Sequence, residues 1–439
     1  MASEFSSNVP LLQKEQLNAR FWQTKISAGD TVILTAEQIS LLNQQTFALQ
    51  PELQALDTLP EHYPAAALRQ LITEVSAIPS SPRFYADGTP VTVAHWQTYQ
   101  QLLALDQLAT QNPVQFGLVV KRTAMRAFPT QDRAFNADAN LDLDRFAETA
   151  LFVAEPVAVL HTSRDNTWLL VRSYHYTGWV QAADIAIGER QQVLAYATQQ
   201  PFIMVTGAKV FTAFTPQHSV LSELQLDMGI RLPLLSAASV NYSVAGQNTA
   251  ASHVVQLPVR DNNGRLLFMP ALIPYSADVH QGYLPFTANN IIGQAFKFLG
   301  ERYGWGHDYN GRDCTGFISE IFRSFGLLMP RNSGEQGKGN YGRNLRFDSN
   351  TPETEKLTAL AQAAPGDLLY FPGHVSLYLG TVAQQPFMIH DVNGLFYPKA
   401  DGSLYQGKLN GVVVTPLLPL NANAGQSYLD ALYAIKSLR

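Results

Sequence analysis

The sequence predicts an α+β chain of several domains, and three observations carry that reading. First, 439 residues exceed what one hydrophobic core accommodates, since domains run to about 100–200 residues. Second, the texture changes along the chain: helical pieces up to about residue 112, short strands and turns to about 282, then mixed helices and strands from 283. Third, 46% of residues are apolar and only 15% charged, a composition that folds rather than staying disordered.

In residues 1–112 the run Thr35-Ala36-Glu37-Gln38 reads as a capping box, with Ile39, Leu41 and Leu42 behind it. Ala65 to Ile78 and Thr92 to Leu108 are further helix candidates. From Pro113, the runs Arg126–Thr130, Glu155–His161, Trp168–Arg172 and Gly178–Val180 follow at barrel spacing. The Ser163–Asn166 turn and the Gly178-Trp179-Val180 ending make residues 113–192 resemble a bacterial SH3-like barrel. Residues 193–282 read as a second, more irregular one. There Val255–Val259 and Leu266–Met269 flank Asp261-Asn262-Asn263-Gly264, a strong hairpin signal. The acidic run Asp138–Asp144 fails as a calcium loop, with Leu143 at the sixth position and Thr149 at the twelfth, so it reads as a solvated loop or as a rim touching substrate.

Residues 283–439 hold the chain's single cysteine, Cys314. Polar and Gly-rich residues precede it; Phe317, Ile318, Ile321, Phe322 and Phe325 follow at helical spacing until Gly326. Cys314 is thus expected at a helix N-terminus, where the macrodipole lowers a thiol's pKa toward roughly 3.5–7.5. Downstream, His374–Gly380 alternates as a strand and Phe387–Asp391 reads as its antiparallel neighbour, which sets His374 beside His390. One histidine would take the thiol proton and the other would orient it. Each residue alone reads as ordinary core; their order and context together point to chemistry.

These stretches resemble the NlpC-type cell-wall cysteine peptidases, which are papain-like. The matching runs are Tyr303-Gly304-Trp305-Gly306, Arg312-Asp313-Cys314-Thr315-Gly316-Phe317, Pro330-Arg331-Asn332-Ser333, Pro365-Gly366-Asp367-Leu368 and Gly373-His374-Val375, with His390 in the third catalytic place. The resemblance covers roughly Phe286 to the C-terminus. It implies Cys314 as nucleophile, His374 as base, His390 as orienting group, and no metal or cofactor. It also implies that Tyr303 assists at the oxyanion, and that Asp313, Thr315 and Ser333 line the substrate groove. Asp313 serves as a helix cap on either reading. Thr315 stands where serine is commoner in the family, and Asn332 where an acidic residue is. The N-terminal helices resemble a stabilising domain found in some relatives, and the first barrel implies substrate contacts around Tyr174-His175-Tyr176, with Tyr176 foremost.

The implied reaction is cleavage of the γ-D-glutamyl–diamino acid bond in peptidoglycan stem peptides, L-Ala-γ-D-Glu-diamino acid, with a free N-terminal L-Ala preferred. The alternatives are a wall-binding module with a silent peptidase domain, or a related papain-like amidase or acyltransferase. A net charge of −5 gives no electrostatic reason to expect nucleic acid, and no apolar run of about 20 residues predicts a membrane span. The start lacks a secretory pattern, and Met1–Phe5 reads as an added leader. The expected location is the cell envelope or outside if a signal has been removed, and the cytoplasm if the enzyme recycles wall peptides.

Overall fold

The computed structural model describes residues 5–439, so Met1–Glu4 of the suggested leader lie outside the described residues. Two compact units emerge, and the chain passes between them more than once. One comprises Leu53–Tyr283 with Trp305–Asp308; the other comprises the residues up to Glu52, Leu284–Gly304 and Tyr309–Arg439.

In the first unit a seven-stranded antiparallel sheet runs in the order Ala147–Leu151, Thr123–Arg126, Thr177–Gln181, Trp168–Arg172, Pro156–Thr162, Gln115–Val119, Ile185–Gly188. Its inner residues include Leu118, Leu170 and Trp179, all fully buried. The indole N–H of Trp179 donates to Ser76 Oγ at 3.0 Å, which fixes the end of the Ala65–Val75 helix against the sheet. The strand expected at Arg126–Thr130 instead ends at Arg126. Ala147–Leu151 had no visible signal, because Ala-Glu-Thr-Ala-Leu barely alternates. The helix expected over Thr92–Leu108 stops at Leu102, since Ala104 turns left-handed at φ 50° and a 3₁₀ turn follows.

The acidic run is not wholly solvated. Asp144 is buried, its Oδ2 pairs with Arg126 at 3.1 Å, and its Oδ1 accepts the amides of Ala134 and Phe146. The four-residue segment Trp305–Asp308 also packs here. Gly306 lies so close that a Cβ would sit 2.8 Å from the Ala147 backbone. His307 Nδ1 is 3.3 Å from Thr149 Oγ1, and Arg122 donates to the His307 carbonyl at 3.0 Å.

Further along, Ser252–Arg260 and Leu266–Pro274 form the expected hairpin, turning at Gly264 with φ 83°. The remaining strands divide among a three-stranded sheet of Arg231–Pro233, Phe202–Val205 and Val279–Gln281, and short two-stranded pairs.

The second unit is built on a larger antiparallel sheet in which Leu368–Phe371, His374–Val382, Gln385–Pro398 and Leu404–Pro416 are consecutive neighbours. The Cys314–Arg323 helix packs on the middle of it, burying Phe317, Ile318, Ile321 and Phe322. Four such side chains contribute about 1.5–3 kcal/mol each by burial, which ties the helix to the sheet. Gly326 at φ 86° ends the following turn, as expected.

The N-terminal residues belong to this unit. Thr35 and Gln38 form the capping box of the Ala36–Leu49 helix, and Asn43 donates to the Gly326 carbonyl at 2.8 Å. Trp22 is buried with its ring 5.4 Å from that of Phe387.

Candidate active site

Cys314 is the first residue of its helix. Asp313 caps the helix by accepting the Gly316 amide at 2.9 Å, which sets the Cys314 side chain at the positive end of the macrodipole. The thiol sits against the backbone N–H of Val375, the residue after His374, so the helix start and the strand start meet.

The two histidines come together as the strand reading requires. His374 Nε2 lies 2.8 Å from His390 Nδ1, with ring centroids 5.1 Å apart. His390 is buried, and its Nε2 lies 3.0 Å from the hydroxyl of Thr415 on the next strand. Phe371 stacks on His374, and the Tyr428 ring packs against both imidazoles.

One tautomer series satisfies these distances and leaves a basic nitrogen. His374 donates from Nε2–H to His390 Nδ1, and His390 donates from Nε2–H to Thr415 Oγ1. His374 Nδ1 then carries a free lone pair.

The electrostatics correct one expectation. The helix N-terminus was expected to lower the thiol pKa; burial instead pushes Cys314 up to about 12, with Asp313 acting in the same direction and the Val375 N–H opposing. Burial pushes His374 down to about 4. His390 is held well below its ordinary range by burial and then by His374. Desolvation disfavours charge on both partners, so the resting site holds a neutral thiol and a neutral imidazole.

Tyr303 is buried close enough to Cys314 for the two to interact electrostatically, and burial raises its hydroxyl well above the usual range. It remains a neutral donor beside the thiol. Tyr303, His374, Asn393 and Tyr428 line a cavity of ≈ 220 Å³ that opens onto the imidazole.

Asp313 does more than cap. Arg331 donates to its Oδ2 at 2.6 Å and also reaches the Thr315 hydroxyl, while Thr315 donates to Asp313 Oδ1 at 2.9 Å. All three side chains are buried. Ser333 opens the Ser333–Lys338 helix and stays half-buried, its carbonyl facing the Tyr433 hydroxyl. Tyr176 belongs to the other unit, where its hydroxyl donates to Glu148. The structure therefore brings Cys314, His374, His390, Tyr303, Asp313 and Thr315 into one neighbourhood.

Residues that sequence reasoning missed are Thr415, Tyr428 and the Arg331 side chain. Arg331 lay inside a quoted motif but had no role there. Thr415 sits in a strand whose Val412-Val413-Val414 run advertises only core.

Comparisons with known proteins fall on the same regions. A model of the SH3 domain (SH3b1 type) matches residues 131–181, and one of the NlpC/P60 family matches residues 300–414. The chain is 25% identical over 325 residues to a protein of Bacillus cereus named gamma-D-glutamyl-L-lysine dipeptidyl-peptidase, covering 70% of this chain and 81% of that one. It is 36% identical over 121 residues to a probable endopeptidase p60 of Listeria seeligeri, covering 26% and 19%. Among solved structures, an NlpC/P60 endopeptidase from Photobacterium damselae subsp. piscicida superposes with a TM-score of 0.74 at 19% identity, over 94% of this chain and 96% of that one, a likeness of fold. With Cys314, His374 and His390 all inside the longer match, this chain carries an NlpC/P60 family peptidase domain behind an SH3b1-type barrel.

Proposed function

We propose that the chain is a peptidoglycan hydrolase, a cysteine endopeptidase that cleaves the γ-D-glutamyl–diamino acid bond of stem peptides. The observation that carries the catalytic part is the 2.8 Å contact between His374 Nε2 and His390 Nδ1, which turns the Nδ1 edge of His374 free for the thiol.

Cys314 passes its proton to His374 Nδ1 as its sulfur attacks the scissile carbonyl carbon. The negative charge moves to the carbonyl oxygen, which the Cys314 backbone N–H and the Tyr303 hydroxyl receive. Collapse of the tetrahedral intermediate breaks the C–N bond, and the His374 proton leaves with the amine. A water then gives a proton to His374 and attacks the thioester. The acid departs and the proton returns to sulfur.

A neutral resting pair does not prevent this sequence. Proton transfer occurs when the acyl carbonyl arrives and the developing charge finds donors, so the thiolate need not pre-exist.

The bond draws support from the relative in Bacillus cereus, whose name specifies a γ-D-glutamyl-L-lysine linkage and whose length is mostly spanned; the free L-Ala preference is what the resemblance to the family implies. A site that reads an amino end would place work on wall fragments, in the envelope or in a recycling compartment.

The test is mass spectrometry of L-Ala-γ-D-Glu-diaminopimelate incubated with wild type and with Cys314→Ala, beside the same peptide N-acetylated. Release of diaminopimelate by wild type alone, lost on acetylation, is the expected result. No release from this peptide or from sacculi removes the assigned reaction and leaves a wall-binding module or another acyl transfer.

A further inference from the structure

The cavity of ≈ 220 Å³ beside His374 lies within the unit that holds Cys314, and its walls come from separate stretches of chain. Gly373 turns at φ 70° between the strand Leu368–Phe371 and the strand that opens with His374. The strand Gln385–Pro398 bulges between Val392 and Gly394, a distortion of the kind that re-aims a side chain, here that of Asn393. Asn423 and Gln426 are paired across a short turn, and Tyr428 follows at the start of the Tyr428–Ala431 helix.

Among the described residues, no Asp, Glu, Lys or Arg lines the cavity; beside His374 and the phenols of Tyr303 and Tyr428, its polar side chains are amides. Asn393 Nδ2 donates to Asn410 Oδ1 at 3.0 Å, which leaves Asn393 Oδ1 as an acceptor. Asn423 Oδ1 accepts the Gly425 amide at 2.9 Å, which leaves Asn423 Nδ2 as a donor. Gln426 is half-buried, and neither end of its side-chain amide has a partner among the described residues. The three amides therefore offer two acceptors and two donors, all uncharged.

The reacting groups decide which half of the substrate lies here. His374 hands its proton to the departing amine, so the residue that carries this amine sits on the imidazole side of the sulfur. Asp313, Thr315 and Ser333, which the family resemblance gives to the groove, do not line this cavity. We propose that the cavity seats the departing diamino acid, and that Asn393, Asn423 and Gln426 read its far end, taking a zwitterionic amino-acid end in preference to a lone ammonium. An ammonium and a carboxylate on one carbon sum to zero charge; the first matches the two acceptors and the second the two donors. A lysine side chain brings the ammonium alone. It places a cation where no carboxylate meets it and leaves the two donors without an acceptor. The inference rests on the endopeptidase reading and narrows its diamino acid to the diaminopimelate type.

The experiment compares kcat/KM for L-Ala-γ-D-Glu-diaminopimelate and L-Ala-γ-D-Glu-L-Lys, using the full chain as wild type and as Gln426→Glu. The wild type is expected to prefer the diaminopimelate peptide by about tenfold or more, the effect of one hydrogen bond to a charged group. Gln426→Glu keeps the shape, removes a donor and adds a carboxylate, so the ratio moves toward the lysine peptide by about tenfold. Misfolding cannot produce a gain on one peptide. Equal kcat/KM for the two peptides in the wild type, or a ratio that Gln426→Glu leaves unmoved, overturns the proposal.

If neither peptide is cut, the hydrolase reading falls and binding decides the cavity by itself. Saturation-transfer NMR of free diaminopimelate and free lysine with the same two proteins needs no turnover. A diaminopimelate signal above that of lysine in the wild type, with lysine gaining in Gln426→Glu, upholds the proposal. No signal from either amino acid, or equal signals, overturns it.

Discussion

At the level of single residues, Thr415 closes the chain that begins at His374. With its hydroxyl 3.0 Å from His390 Nε2, it offers an acceptor to the Nε2–H of the tautomer that leaves His390 Nδ1 as an acceptor. Thr415→Val keeps the shape and removes the acceptor. The lost hydrogen bond is worth about 1 kcal/mol, so kcat falls roughly five- to tenfold, with KM little changed. Stem-peptide kinetics across pH check it: an unchanged pH profile and kcat would leave Thr415 as mere packing. The thiol offers a second check. With Cys314 pushed up to about 12, its alkylation at neutral pH is slower than that of an ordinary thiol by roughly a thousandfold and rises with pH. A fast reaction that plateaus below pH 8 would restore the lowered thiol that the helix N-terminus suggested. The sequence showed where Cys314 sits on its helix, and Asp313 as the cap, because capping is local. It did not show the desolvation that outweighs the dipole, because burial depends on Tyr303, Val375 and the strand behind, which are distant in sequence.

At the level of elements, the nucleophile helix depends on an ion pair as well as on its apolar face. Arg331, Asp313 and Thr315 form a buried group, so Arg331→Leu removes the guanidinium that pairs with the Asp313 carboxylate. Breaking a buried pair on one side costs about 3–5 kcal/mol, which urea unfolding of the variant reads as a lower midpoint. A midpoint within the error of wild type would mean the pair contributes nothing net. Period-2 alternation exposed the strands of His374 and His390, and it exposed Trp168–Arg172 with both ends right. It missed Ala147–Leu151 because that strand is paired along one edge and packed by Gly306 from a segment far away in sequence. The left-handed turn at Ala104 was equally hidden, since alanine gives no sign that a helix must stop.

At the level of the molecule, acid and connectivity set the limits. His374 is held near 4 in the fold against about 6.5 in the unfolded chain, so as pH falls the unfolded chain binds its proton first. Stability from this group is present above pH 6.5 and is lost between about 6.5 and about 4, up to about 3 kcal/mol. Thermal melts of wild type should fall across that window, and those of His374→Gln less steeply; parallel slopes would assign the acid sensitivity elsewhere. Connectivity makes a stronger claim. The family match begins at residue 300, yet the unit that holds Cys314 also takes in the helices before Glu52, and its chain is interrupted by Trp305–Asp308. Composition marks where helices give way to strands; it does not say which unit a helix packs on. Cutting the chain to residues 284–439 removes Trp22 from Phe387, the Asn43 bonds at Gly326 and Leu328, and the Leu34 bridge to Phe286. Loss of a buried tryptophan alone costs about 3–5 kcal/mol, a large part of the 5–15 kcal/mol that holds a typical domain. The fragment is therefore expected to aggregate or to give a collapsed amide NMR spectrum, and residues 5–52 supplied as a separate peptide should only partly recover it, because association replaces a covalent tether. A soluble 284–439 fragment with dispersed resonances and wild-type alkylation behaviour would show that the family domain folds without its N-terminal helices.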